Sequence, residues 1–198
     1  MNVINKPKIE LVPALIISAA VFIIFIILGT MLPDDIAESS LSQIKEIVSQ
    51  LQGIGPAAMI FVIFMNNALK CLVVILTGFI LALPPLVYLG INASLIGILI
   101  SNARDSGLVL LIAGLAPHGI IEIPAFLFSS ALGIGVGHQV YKYITRQESA
   151  VKFHLSYSLN FFYKWIVPAL LVASLIEVFV TPGIIAGAGG NIPPVMLP

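Results

Sequence analysis

From Leu11 to Thr181 the chain is a succession of long apolar runs, parted by short polar or proline-rich stretches. No other feature constrains its fold as strongly, because about 20 consecutive apolar residues as one helix match the ~30 Å hydrocarbon core of a bilayer. Composition agrees. The chain is 59% hydrophobic and 9% charged, against about 45–50% and 25% in soluble domains, and its mean hydropathy is +1.11. This is an integral membrane protein, and the spans consume most of its 198 residues, leaving no room for a separate soluble domain. Residues 1–198 are therefore read as a single transmembrane domain.

The first span covers residues 11–32, preceded by Lys6 and Lys8 and ended by Pro33-Asp34-Asp35. It is too long for a signal-peptide core and lacks a small-x-small cleavage site, so it is expected to be retained. Over residues 36–53, Ile36, Leu41, Ile44, Ile47, Val48 and Leu51 recur at three- and four-residue spacing against Glu38, Lys45 and Glu46. That spacing predicts an amphipathic helix lying on the surface. Two spans follow, residues 56–83 and 84–100, separated by Pro84-Pro85, and the polar string SNARDSG then makes a turn.

Residues 107–137 are too long for one crossing, since 31 residues of helix measure about 46 Å. Gly114, Pro117, Gly119 and Pro124 predict a break between Gly114 and Pro124, with the PHGIIEIP element in the protein interior. A segment at 141–164, rich in tyrosine and lysine, is read as lying on the membrane surface, followed by a last span at 165–181 and a flexible tail at 182–198. The expected fold is all-α. It is a polytopic membrane helix bundle with about five net crossings, one of them a broken or re-entrant helix pair, and it carries no evident internal repeat.

Basic residues orient this bundle. Lys6, Lys8, Lys142, Arg146, Lys152 and Lys164 fall on one side and only Lys45 and Arg104 on the other, so the first side, with the amino terminus, is expected in the cytoplasm and the carboxyl terminus outside. Tyr141, Tyr143, Tyr157, Tyr163 and Trp165 gather around the cytoplasmic connection, where amphipathic rings favour the headgroup zone. Net charge is zero, with no lysine or arginine run, and nucleic acid is not expected as a partner. Cys71, the single cysteine, lies in an apolar run and cannot form an intrachain disulfide.

Function is sought where ionisable groups interrupt the apolar runs, because each costs about 2.5–3.5 kcal/mol at a bilayer centre on insertion scales. These are Lys70, Glu122 and Glu177. His118 and Glu122 stand four apart and would share a helix face, a spacing that suits a divalent metal or a proton relay, although a zinc centre needs a further ligand. They are at most weak metal candidates. The plainer reading is that His118 serves a carbonyl freed at the break while Glu122 pairs with Lys70 and locks the fold. Asn66 and Asn67, one turn before Lys70, either join helices or line a cavity. Asn92 heads N-A-S but lies within a span and is discounted as a glycosylation acceptor. The small residues Gly133, Gly135 and Gly137 allow close helix approach, read as packing within the chain ahead of a dimer interface. GIGVG lacks the context of a phosphate loop, and no serine, histidine and acid arrangement can be assembled.

The string L-x-P-H-G-x-x-E at Leu115, Pro117, His118, Gly119 and Glu122, with the small-residue stretch through Gly133, resembles the signature of the stage II sporulation protein M-like membrane proteins. The pair Asn66-Asn67 with Gly78 downstream, and I-E-x-F-x-T-P at Ile176, Glu177, Phe179, Thr181 and Pro182, extend the resemblance over residues 66–182. Asn92-Ala93 departs from it, standing where asparagine-glycine is expected. The family takes its name from a bacterial member that works with cell-wall remodelling proteins during engulfment of the forespore, and relatives occur in organisms that make no spores. The resemblance therefore implies a general membrane role.

Three functions follow as expectations. The first is a permease-like or channel-like protein whose polar site, drawn from Asn66, Asn67, Lys70, His118, Glu122 and Glu177, handles an ion or small solute. The second is a non-enzymatic scaffold for partner membrane proteins, or for a second copy of the chain in a homodimer. The third and most remote is an intramembrane metal-dependent hydrolase. Neither catalytic residues nor a cofactor is expected.

Overall fold

The computed structural model describes residues 11–50, 53–103 and 107–190. The helices are α1 (Leu11–Gly29), α2 (Asp34–Gln50), α3 (Pro56–Thr77), α4 (Leu83–Ala103), α5 (Leu108–Ile144), α6 (Val151–Phe161), α7 (Val167–Phe179) and α8 (Thr181–Gly187), with a π-helical turn at Phe162–Ile166 joining α6 to α7. Among the described residues five helices are long and apolar enough to cross a membrane: α1, α3, α4, α5 and the continuous α6–α7. The chain is an all-α polytopic membrane bundle. Lys6, Lys8 and Arg104, used above to orient it, lie outside the described residues, as does the tail from residue 191.

There are three departures from the expected layout. Residues 107–137 do not form a broken pair. Pro117 and Pro124 both sit inside the uninterrupted α5, which runs on to Ile144. Each proline removes one backbone donor and frees one carbonyl, those of Ala113 and Ile120. A membrane helix tolerates such losses where neighbours pack around it. α5 is that kind of helix, touching α1, α3, α4, α6, α7 and α8. Its 37 residues, about 55 Å long, exceed the bilayer core by extending past it, and the last turns carry His138, Tyr141, Lys142 and Tyr143.

The supposed surface segment at 141–164 is likewise not a separate element. Its first residues end α5, a turn follows, and from Val151 the chain is the first half of the last span, with His154 and Ser158 buried against the bundle. Pro168, which has no N–H for the carbonyl of Lys164, accounts for the π turn, where the Val167 N–H reaches back five residues to the Phe162 carbonyl. The beginning of the supposed flexible tail is also ordered. Thr181 and Pro182 open α8, whose Ile185 is buried against α5 near Gly114.

α2 begins with Asp34 and Asp35 in its first turn, where carboxylates meet the positive end of the helix dipole. The prolines between α3 and α4 sit in the first turn of α4, where no N–H is missed. The tight turn before them holds Leu81 and Ala82 at φ of 50° and 64°.

Small residues set the helix spacing. A Cβ on Gly97 would strike the Ile26 carbonyl of α1, and one on Gly133 would lie 2.6 Å from the Val74 carbonyl of α3. Gly137 packs on the Gly78 carbonyl just beyond α3. Gly133 and Gly137 thus join helices within the chain. The close approach that Ala93 would hinder is made by Gly90 and Gly97, on either side of it, against α1.

Candidate functional site

Two polar clusters occupy the interior of the bundle. The first lies where α5 meets the end of α7. His118, ten residues into α5, directs Nδ1 at Oε2 of Glu177, and both side chains are largely buried, with 13% and 14% of their surface exposed. Thr181, fully buried at the start of α8, places its hydroxyl 3.2 Å from the same Oε2 and 3.3 Å from the Ile176 carbonyl. Imidazole and hydroxyl thus converge on one carboxylate oxygen. The cluster is closed in the sense that the contacts of Oε2 come from the protein's own imidazole and hydroxyl.

Glu177 lies only four residues before Thr181, yet it does not reach for the headgroups. The chain continues as α8, which folds back on α5 and α7 and keeps that end of the bundle covered. Thr181 was quoted in the sequence only as part of I-E-x-F-x-T-P. Its spacing of four from Glu177, directly before a proline, was the signal that it could serve the carboxylate.

The second cluster is centred on Glu122, one turn along α5 from His118. The Asn67 side-chain amide donates to Oε1 of Glu122 at 2.5 Å, and Asn66 donates to Asn67 at 3.4 Å, so α3 supplies the nearest partners. Glu122 stays within Coulombic range of His118, Glu177 and Lys70. Among the described residues, however, it forms a salt bridge with neither His118 nor Lys70. The direct Glu122–Lys70 pair expected as a lock is absent. His118 has turned to Glu177, and Asn67 stands in the place a cation would take.

Lys70, Asn67 and Glu122 instead share a cavity of about 260 Å³, completed by Asn92 of α4 and by apolar walls that include Phe22 of α1, Ile123 of α5 and Leu170 of α7. Asn92 donates to the Tyr88 carbonyl at 2.8 Å. It was passed over as a discounted glycosylation acceptor, although an amide inside an apolar run is itself a sign of a wet or paired position. Cys71 lines the same cavity and interacts with Ser129. The cavity thus presents one ammonium, one carboxylate and two amides within a span, drawn from three helices. Such a set can hold a hydrated ion, or a small solute with both donors and acceptors. Among the described residues no three His, Cys, Asp or Glu side chains converge to hold a metal ion.

Comparison with known proteins gives one result and two blanks. The family model for stage II sporulation protein M matches residues 18–182, which include all six site candidates and both clusters. Neither the search of curated proteins nor that of solved structures found a match. The match covers most of the chain and contains the PHGIIE element and the I-E-x-F-x-T-P string, and the chain belongs to the stage II sporulation protein M family.

Proposed function

We propose that the protein is a small permease or channel in which the Asn67–Lys70–Asn92–Glu122 cavity binds an ion or small polar solute on its way across the membrane. The observation that carries this reading is the cavity itself. Ionised groups inside a span are costly unless they pair or face water. Here Lys70 and Glu122 line a common space of about 260 Å³ without a salt bridge between them. Bulk water occupies about 30 Å³ per molecule, so several waters or one small solute fit. In this reading the chain binds and conducts rather than catalyses, and the basic end of the bundle faces the cytoplasm.

The test is flux into proteoliposomes across a panel of ions and small solutes, comparing the natural chain with Glu122→Gln and Lys70→Met. Flux of one solute class that falls to background in both variants, while both remain folded, supports the reading. Absence of flux across the panel, or flux indifferent to both changes, overturns it. Impermeant labelling of Ser40→Cys and Ser149→Cys in a Cys71→Ala background sets the sidedness of the same vesicles, with labelling from opposite faces expected. The closed His118–Glu177–Thr181 cluster favours a second reading, a scaffold for partner membrane proteins, because charges paired with one another need no ligand. Under that reading flux is absent and both cavity variants are silent.

A further inference from the structure

A second cavity, of about 220 Å³, lies between the start of α1, the end of α5 and α6. His138 on its rim is 16 residues beyond Glu122 along α5, about 24 Å, so it is separate from the site above. Its lining is largely apolar, with Ala14, Ile17 and Leu132. Towards the α5–α6 turn it is polar, with His138 and His154, and Ser158 adds a hydroxyl one turn further along α6.

The space exists because of a glycine. Gly133 and Gly137 press against backbone near the end of α3, whereas Gly135, two residues from each and so on the other face of α5, has nothing within 4 Å of where its Cβ would stand and lines the cavity. The rim is fixed in place. Gln139 accepts from the Ala150 N–H at 2.9 Å, and His154 Nδ1 lies 3.2 Å from the Ala150 carbonyl, which only accepts. His154 therefore donates through Nδ1, which holds its ring against the α5–α6 turn and leaves Nε2 as an acceptor.

The surroundings are those of a headgroup layer. Tyr141 and Tyr143 are exposed at 53% and 70% near this end of the bundle, as expected of amphipathic rings at a membrane interface. Charge there is one-sided. From residue 138 to 152 the chain carries Lys142, Arg146 and Lys152 against a single acid, Glu148. Lys142 follows His138 by four and so stands on the same face of α5, one turn nearer the water.

We infer that this cavity is a binding site for an anionic phospholipid. The start of one acyl chain lies along Ala14 and Ile17 in the space left by Gly135, and the phosphate meets Ser158, His138 and Lys142. An apolar cleft beneath polar donors and a basic fringe matches a chain beneath a phosphate, and basic pockets between spans are where such headgroups bind.

The experiment follows the thermal unfolding midpoint of the full chain in a nonionic detergent during titration with phosphatidylglycerol, phosphatidylcholine or soluble glycerol 3-phosphate. A ligand that binds only the native state raises that midpoint. Phosphatidylglycerol is expected to raise it saturably, with little response to the other two. Gly135→Leu, which fills the cavity without meeting a neighbour at Cβ, is expected to abolish the rise. Lys142→Gln, on the bundle's rim, is expected to shift half-saturation about fivefold upward, as loss of roughly 1 kcal/mol from one basic residue implies. Equal stabilisation by phosphatidylcholine, full stabilisation by glycerol 3-phosphate alone, or a natural response in both variants would each overturn the assignment.

Discussion

Glu177 and Glu122 are carboxylates of the same membrane interior, close enough to feel each other's charge, yet their surroundings differ in kind. Glu177 is closed off, with an imidazole and a hydroxyl meeting one of its oxygens. Glu122 holds a single amide and faces a cavity that it shares with Lys70 and Asn92. The difference teaches what a buried charge can be for. One whose contacts come from the protein's own side chains contributes to a rigid fold, whereas one that shares a cavity with Lys70 without a salt bridge keeps capacity for something else. Geometry makes the contrast, for His118 and Glu122 are one turn apart on α5 and His118 points to α7.

The largest effect expected from this contrast is on stability. Glu177→Ala leaves the His118 imidazole buried without its acceptor and the Thr181 hydroxyl with the Ile176 carbonyl alone, and unfolding in detergent should become easier by about 2–3 kcal/mol. Glu122→Gln keeps an oxygen for Asn67 at nearly unchanged volume and should cost less than about 1 kcal/mol. Equilibrium unfolding of both variants in mixed micelles checks the pair. Equal losses would erase the distinction between a closed and an open carboxylate.

A smaller effect, and a sharper one, is coupling. His118→Ala combined with Glu177→Ala should show an interaction energy of about 1–2 kcal/mol, as contacting partners do. Lys70→Met combined with Glu122→Gln should be additive within about 0.5 kcal/mol, because these two side chains share a cavity without forming a salt bridge. Stronger coupling in the second cycle than in the first would restore Lys70–Glu122 as the structural lock that the sequence first suggested.

That suggestion shows where reading the chain stopped. Class and crossing number were legible, because the length of an apolar run relates directly to bilayer thickness and involves no partner. The candidates Asn67, Lys70, His118, Glu122 and Glu177 were legible for the same reason, each being a polar residue in an apolar run. Their pairing was not. A run identifies what must be satisfied, while only the packing of α3, α5 and α7 decides who satisfies it. The continuity of α5 was hidden similarly. Pro117 and Pro124 remove donors in any context, and whether a helix survives that loss depends on the neighbours surrounding it.

The smallest effect concerns Thr181, the residue that joins α8 to the closed cluster. Its hydroxyl has one proton for two acceptors, Oε2 of Glu177 and the Ile176 carbonyl, both at more than 3 Å. Thr181→Val keeps the branched shape of a fully buried side chain and removes only that donor. Side-chain hydrogen bonds between membrane helices average about 0.6 kcal/mol, and a shared, long one should fall near that value. Thermal unfolding should record the loss, and it should vanish in a Glu177→Ala background if the carboxylate is the acceptor that matters. A loss of the same size in both backgrounds assigns the bond to the Ile176 carbonyl and leaves the closed cluster with the imidazole as its single partner.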